Sequence, residues 1–173
     1  MDQRLKWFDR KFSFDYPIET APYVIERLRG TPVLVEEKTK GVSDEVLEKK
    51  IDGQWSVKEQ VGHLTVIEEL HLARLDDFEE NLTELKPADL SNTKTHTANY
   101  NSRSIVELIR EFRKIREKLL QKLETLSFSD LERSALHPRL KTPMRVIDMI
   151  AFAADHDTHH LDHVIKIVVV EML

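Results

Sequence analysis

The sequence predicts an all-α fold, a four-helix bundle with short extra helices in its connections. Three observations carry that prediction. Glycine and proline number only 4 and 6 in 173 residues, too few for the repeated tight turns of an all-β sandwich. Four stretches place apolar residues at the spacing of one helix face, and a bundle of four helices is the simplest fold that buries them. One stretch opens on a capping box, which marks a helix start independently of periodicity. The length is that of a single domain, residues 1–173. The 40% hydrophobic and 33% charged content is that of a globular chain rather than a disordered one.

The first helical region runs from residue 17 or 18 to about 40, with Val24, Ile25 and Leu28 on one side. Gly30-Thr31-Pro32 is expected to kink or divide it, because proline lacks the N–H donor and disfavours helix at the residue before it. Residues 43–51 form a short helix in this reading, ended by Asp52-Gly53. The second long helix is the best marked. In Ser56-Val57-Lys58-Glu59 the serine hydroxyl and the glutamate carboxylate each satisfy an orphan backbone donor. Val57, Val61, Leu64, His71, Leu75 and Phe78 then recur at helical spacing to about residue 81.

Residues 87–100 are polar and aperiodic and read as a loop. The third long helix, residues 104–126, turns Ile105, Leu108, Ile109, Phe112, Ile115, Leu119 and Leu123 inward. Its Glu107, Arg110, Glu111, Lys114 and Glu117 make a solvated face. Residues 129–135 offer one more short helical turn. Thr142 as N-cap and Pro143 at the first helical position start the fourth long helix, which runs to near residue 171. Its apolar residues cover more than one face, which predicts a central position or a second buried face at a homodimer contact.

Composition narrows the function. Lys and Arg total 26 against 31 Asp and Glu, a formal net charge of −5, so no broad basic excess exists to release counterions from nucleic acid. The absence of cysteine excludes a disulfide framework, a Cys-ligated zinc site and a protein thiol nucleophile, and is compatible with a reducing cytoplasm. The first six residues lack the apolar core of a signal peptide, and the apolar stretch 164–170 is too short to span a bilayer. A cytoplasmic protein that engages neither nucleic acid nor membrane is the expectation.

Histidine is where the chemistry concentrates. Of the 8 histidines, four fall in Asp155-His156-Asp157-Thr158-His159-His160-Leu161-Asp162-His163, inside an apolar helix. Burying polar groups without partners costs about 1–3 kcal/mol each, so packing alone explains the run poorly. On a helix, positions i and i+4 lie about 40° apart and one turn up, which lets His156 and His160 address a single point. A third ligand must come from another element, and His63 on the second turn of the capped helix is the best candidate. Gly62 beside it could permit close approach of a neighbouring helix. Spacing leaves His159 and His163 open as an alternative pair. His71 reads as a polar residue on the packed or partly wet edge, and His96 and His137 as loop residues without a site role.

Trp55-Ser56-Val57-Lys58-Glu59-Gln60-Val61-Gly62-His63-Leu64, followed downstream by Thr142-Pro143-Met144-Arg145 and His156-Asp157-Thr158-His159-His160-Leu161, resembles the DinB/YfiT-like superfamily of damage-inducible, metal-binding helical proteins. The similarity covers nearly the whole chain. It implies a four-helix bundle, often dimeric, with one divalent ion, usually zinc or nickel, on His63, His156 and His160 rather than on His159 and His163. It also implies one of two activities on a small-molecule substrate: transfer of a low-molecular-weight cytoplasmic thiol such as bacillithiol, or metal-dependent hydrolysis.

Three neutral imidazoles would leave the ion's charge uncompensated and coordination positions open, as in catalytic sites. A bound water would then have its pKa lowered toward about 7, and a bound thiol would be deprotonated. Transfer of an external thiol leads, with hydrolysis next. Asp157 is a candidate to orient a ligand or act as acid or base, beside Asp155; Glu59 is explained by the capping box. Arg145 could meet an anionic substrate or simply be exposed. His156-Asp157-Thr158-His159-His160 is a metalloprotease-like motif with an acid too short for the task. A non-catalytic metal-binding stress protein is the remaining reading, and it would require a fourth protein ligand such as Asp155, Asp157 or His163.

Overall fold

Pro32 does not divide the first helix. The computed structural model describes residues 6–172, and α1 (Ala21–Thr39) runs through Pro32, which is buried within it. The Leu28 carbonyl, which would accept an N–H from position 32, accepts one instead from Nη1 of Arg116 at 2.7 Å. A side chain from another helix fills the gap that proline leaves in the ladder. That donor lies 88 residues away.

α2 (Asp44–Glu48) is shorter than expected, and Asp52 and Gly53 make the turn after it with φ of 53° and 71°. α3 (Val57–Glu79) begins at the capping box the sequence announces: Glu59 N–H donates to Ser56 Oγ at 3.2 Å, and Ser56 N–H to the Glu59 carboxylate at 2.9 Å. The segment read as a loop contains α4 (Thr93–Thr97), and a 3-10 turn, Tyr100–Ser102, follows. Five residues are too few to show a period, so propensity patterns could not reveal α4.

α5 (Ile105–Glu124) carries the predicted inward stripe, and α6 (Phe128–Leu131) opens on a second capping box, Ser127 with Asp130. Beyond it the sequence reading needs correction. Residues expected to be helical form β1 (Ser134–Leu136), which pairs antiparallel with β2 (Pro143–Arg145). Thr142 and Pro143 therefore do not start the last long helix. Proline is tolerated because each strand of a two-stranded ribbon is an edge. α7 (Val146–Met172) starts after β2, where the Asp148 carboxylate accepts the Arg145 N–H at 3.0 Å and pairs with the Arg145 guanidinium at 2.8 and 2.9 Å.

The four long helices form a four-helix bundle in which α1 and α3 each pack against both α5 and α7. The order around the bundle is thus α1, α5, α3, α7, and the first two long helices lie diagonally. Residues 146–154 of α7 are all buried, which explains its apolar breadth: Trp7, Phe12, Phe14 and Tyr16 from the N-terminal segment pack on the same core cluster as its apolar residues. No helix among the described residues is long and apolar enough to cross a membrane.

Candidate metal centre

α7 and α3 meet where their histidines face each other. His156 and His160, one turn apart on α7, hold their Nε2 atoms 3.1 Å apart. His63 on α3 completes the group, with its ring centroid 5.5 Å from that of His156 and 4.7 Å from that of His160. One ligand atom from each of the three lies within 4.8 Å of the others, and all three residues are buried. A tetrahedral zinc-type ion, with nitrogens at 2.0–2.1 Å, holds them roughly 3.3 Å apart, so a small inward movement of His63 satisfies it.

The other ring nitrogens show how the imidazoles are aimed. His160 Nδ1 lies 2.5 Å from the Gln60 Oε1 atom, which can only accept, so that nitrogen carries the proton and Nε2 keeps its lone pair. His63 Nδ1 is 3.0 Å from the Thr95 hydroxyl on α4. Such outer partners fix the tautomer and ring orientation of metal-binding histidines. His156 stands edge-on to Trp7, with centroids 4.9 Å apart, and its buried Nδ1 has no hydrogen-bond partner among the described residues.

Burial pushes His63 down to about 4, with His159 and His96 adding to the effect. Burial also holds His156 and His160 well below the ordinary imidazole range, reinforced by neighbouring rings. All three are neutral at physiological pH, the state in which imidazole offers a lone pair. Neutral, oriented and convergent, the donor set fits one divalent ion.

Several sequence-derived assignments change. Asp157 does not orient a triad ligand: about 100° around the helix from His156, its carboxylate accepts from Arg116 Nη1 at 2.7 Å inside the bundle. Asp155 is taken by Arg27 at 2.8 Å and Arg10 at 3.4 Å. Arg145 is neither exposed nor available to a substrate, since it holds Asp148 and the Tyr16 carbonyl. His159 and His163 stack edge-on to each other, centroids 4.7 Å apart, outside the triad. The group pressed against Gly62 is not a helix but the Tyr100 ring, whose atoms would lie 2.5 Å from an added Cβ.

The sequence reading missed Arg116, which is 1% exposed. Its guanidinium joins Asp157, the Glu68 carboxylate (through Nε and Nη2) and the Leu28 carbonyl. Glu68 in turn lies 3.3 Å from Nδ1 of His71. Burial would raise Glu68, but Arg116 and His71 outweigh it and hold it below the usual carboxylate range. Position gave a signal: Arg116 falls four residues after Phe112 and three before Leu119, within the apolar stripe.

The triad opens on a cavity of about 420 Å³. Trp7, Trp55, Ile67, Leu70 and Phe152 supply its apolar wall, while His71, Arg74, His137 and Arg139 face it as well. His137, assigned no role from the sequence, is buried in this wall.

The chain is thus a four-helix bundle in which a buried, neutral histidine cluster able to hold a metal ion opens onto a cavity. The chain belongs to the DinB superfamily, which it matches over residues 27–164. Its fold is similar to that of YfiT from Bacillus subtilis, described as a probable metal-dependent hydrolase with an unusual four-helix bundle topology, at a TM-score of 0.77 and 19% identity over 91% of each chain. It is also similar to a protein from Streptococcus pneumoniae, at a TM-score of 0.66 and 13% identity over 91% of each chain. No curated protein matches the sequence.

Proposed function

We propose that the protein is a metal-dependent transferase that joins a low-molecular-weight thiol to an electrophilic small molecule held in the cavity. The observation that carries this reading is the opening of the His63, His156 and His160 cluster onto that cavity. When bound there, a divalent ion, zinc or nickel as the family resemblance implies, would supply Lewis-acid chemistry that lowers the pKa of a coordinated thiol or water.

The chain's own residues do the rest. Gln60 and Thr95 aim two of the imidazoles, and burial keeps all three neutral. Trp7, Trp55 and Phe152 make the surroundings of the reacting groups apolar, which strengthens electrostatic interactions there. The thiol comes from outside, since the sequence has no cysteine. A non-catalytic, structural ion is disfavoured because, of the candidate fourth ligands, Asp155 and Asp157 are engaged by arginines and His163 packs against His159 outside the triad.

Hydrolysis is the second reading, favoured by the likeness to YfiT, which is described as a probable metal-dependent hydrolase. The deciding experiment loads the protein with zinc or nickel and supplies a thiol panel with a bimane electrophile, beside an ester and amide panel without thiol. Protein-dependent conjugation of one thiol supports the transferase. Turnover of the second panel alone replaces it with hydrolysis, and metal binding without either reaction leaves a binding protein.

A further inference from the structure

The α3 face that carries His63 continues along the cavity. His63, Ile67, Leu70 and Arg74 recur at i, i+4, i+7 and i+11, and all four line it. Eleven residues come back to within about 20° and advance roughly 16 Å along the axis. An imidazole thus stands at one end of the stripe, a guanidinium at the other, and two aliphatic side chains between.

Arg74 is 3% exposed. Its Nε donates to the Lys86 carbonyl at 2.9 Å, and its terminal nitrogens have no hydrogen-bond or ion-pair partner among the described residues. Asp77, one turn on, is occupied by the backbone N–H of Lys86 at 2.7 Å and its ammonium at 3.7 Å. Burial pushes Arg74 down to about 10, against the nearby Asp77 charge, so it remains cationic at neutral pH with no carboxylate in hydrogen-bond contact. Buried charges are ordinarily paired, as Arg116 is, and an unpaired one in a cavity wall calls for a counter-charge from a ligand.

A second donor faces the same space. His137 Nδ1 accepts the N–H groups of Arg139 and Leu140 at 3.2 and 3.1 Å, which places the ring proton on Nε2. Nε2 has no partner among the described residues. Burial, then the charges of Arg74 and Arg139, push His137 to about 4, which keeps the ring neutral.

We infer that the cavity takes a small-molecule carboxylate, its anionic end received by Arg74 and the His137 Nε2–H, its apolar body lying along Ile67 and Leu70 toward His63. The inference deepens the proposed function, on which only the reactive end rests; the carboxylate subsite stands on Arg74 and His137.

Both tryptophans of the chain, Trp7 and Trp55, line the cavity, so ligand entry is readable in intrinsic fluorescence. Octanoate and octanamide, matched in shape and different in charge, are titrated into wild-type protein and Arg74→Met, each with and without zinc. Wild-type protein is expected to bind octanoate roughly tenfold or more tightly than octanamide in both metal states. Arg74→Met is expected to lose that preference while retaining octanamide binding and zinc content. Equal binding of the two ligands by wild-type protein overturns the inference. So does a preference that survives Arg74→Met, or one that vanishes when zinc is removed, which would put the carboxylate on the ion. If Arg74→Met does not fold, the wild-type pair decides alone. Absence of zinc binding or of turnover, with the preference intact, would sink the proposed function and leave the carboxylate subsite standing.

Discussion

His156 and Asp157 are neighbours in the chain and opposites in situation. His156 belongs to a buried cluster of three neutral imidazoles whose nitrogens converge beside a cavity, its own Nε2 3.1 Å from that of His160. Asp157 belongs to a buried cluster in which Arg116, Glu68 and the Leu28 carbonyl hold one another at hydrogen-bond distance. Both sets are polar, buried and drawn from several helices. The second pairs its charges internally, Arg116 with Asp157 and Glu68, and ties α1, α3, α5 and α7 together, whereas the first holds no counter-charge and opens on a cavity. Burial of polar side chains does not separate architecture from function; whether their charges and donors are matched within the protein or turned toward a cavity does.

The contrast can be broken by substitution, and the largest expected effect is on the metal. His160→Ala should take zinc or nickel from about one ion per chain to near none, measured by elemental analysis of folded protein. The loss should exceed the roughly 10–100-fold that removal of an outer partner costs. Its far-UV circular dichroism should match that of wild type; collapse would instead place the triad among the structural clusters.

Arg116→Ala should do the reverse. It strands two buried carboxylates and the Leu28 carbonyl, and should cost about 3–5 kcal/mol in denaturant unfolding. The molecules that remain folded should bind metal normally.

Acid should act on the triad next. Burial holds these rings below the ordinary value of 6.5, His63 at about 4, so between those values the unfolded chain binds more protons than the folded one. Metal-free stability is therefore full above pH 6.5 and falls as the pH drops through that window. The loss is roughly 1.4 kcal/mol per pKa unit of depression for each ring. Thermal melts of metal-free wild type against His160→Ala should show a smaller acid loss in the variant.

The smallest effect belongs to an orienting residue. Gln60→Leu removes the acceptor beside His160 Nδ1 and should weaken metal affinity about 10–100-fold, while the buried N–H it strands should lower the unfolding free energy of the metal-free protein by about 1–3 kcal/mol. A competition titration with a chromogenic chelator measures it.

Much of this was legible in the chain. The Ser56 capping box, the α5 stripe and the His156–His160 pair are local patterns, and each stands where the sequence places it. The bundle follows from four apolar stripes. Arg116, Glu68 and Arg74 were equally well placed on inward faces, yet charged residues inside a stripe look like edge residues until their surroundings are known.

Local spacing thus determined the four long helices and set His156 and His160 on one face, because a helix sets side-chain orientation from sequence position, while the choice of that pair over His159 and His163 came from the family resemblance. Tertiary structure decided what stands opposite each side chain. It put Arg116 against the carbonyl orphaned by Pro32 and Gln60 and Thr95 behind the imidazoles. It also made residues 143–145 a strand and left the terminal nitrogens of Arg74 without a carboxylate at hydrogen-bond distance. Those outcomes depend on groups tens of residues apart meeting in space, and spacing along one helix carries no record of its partner.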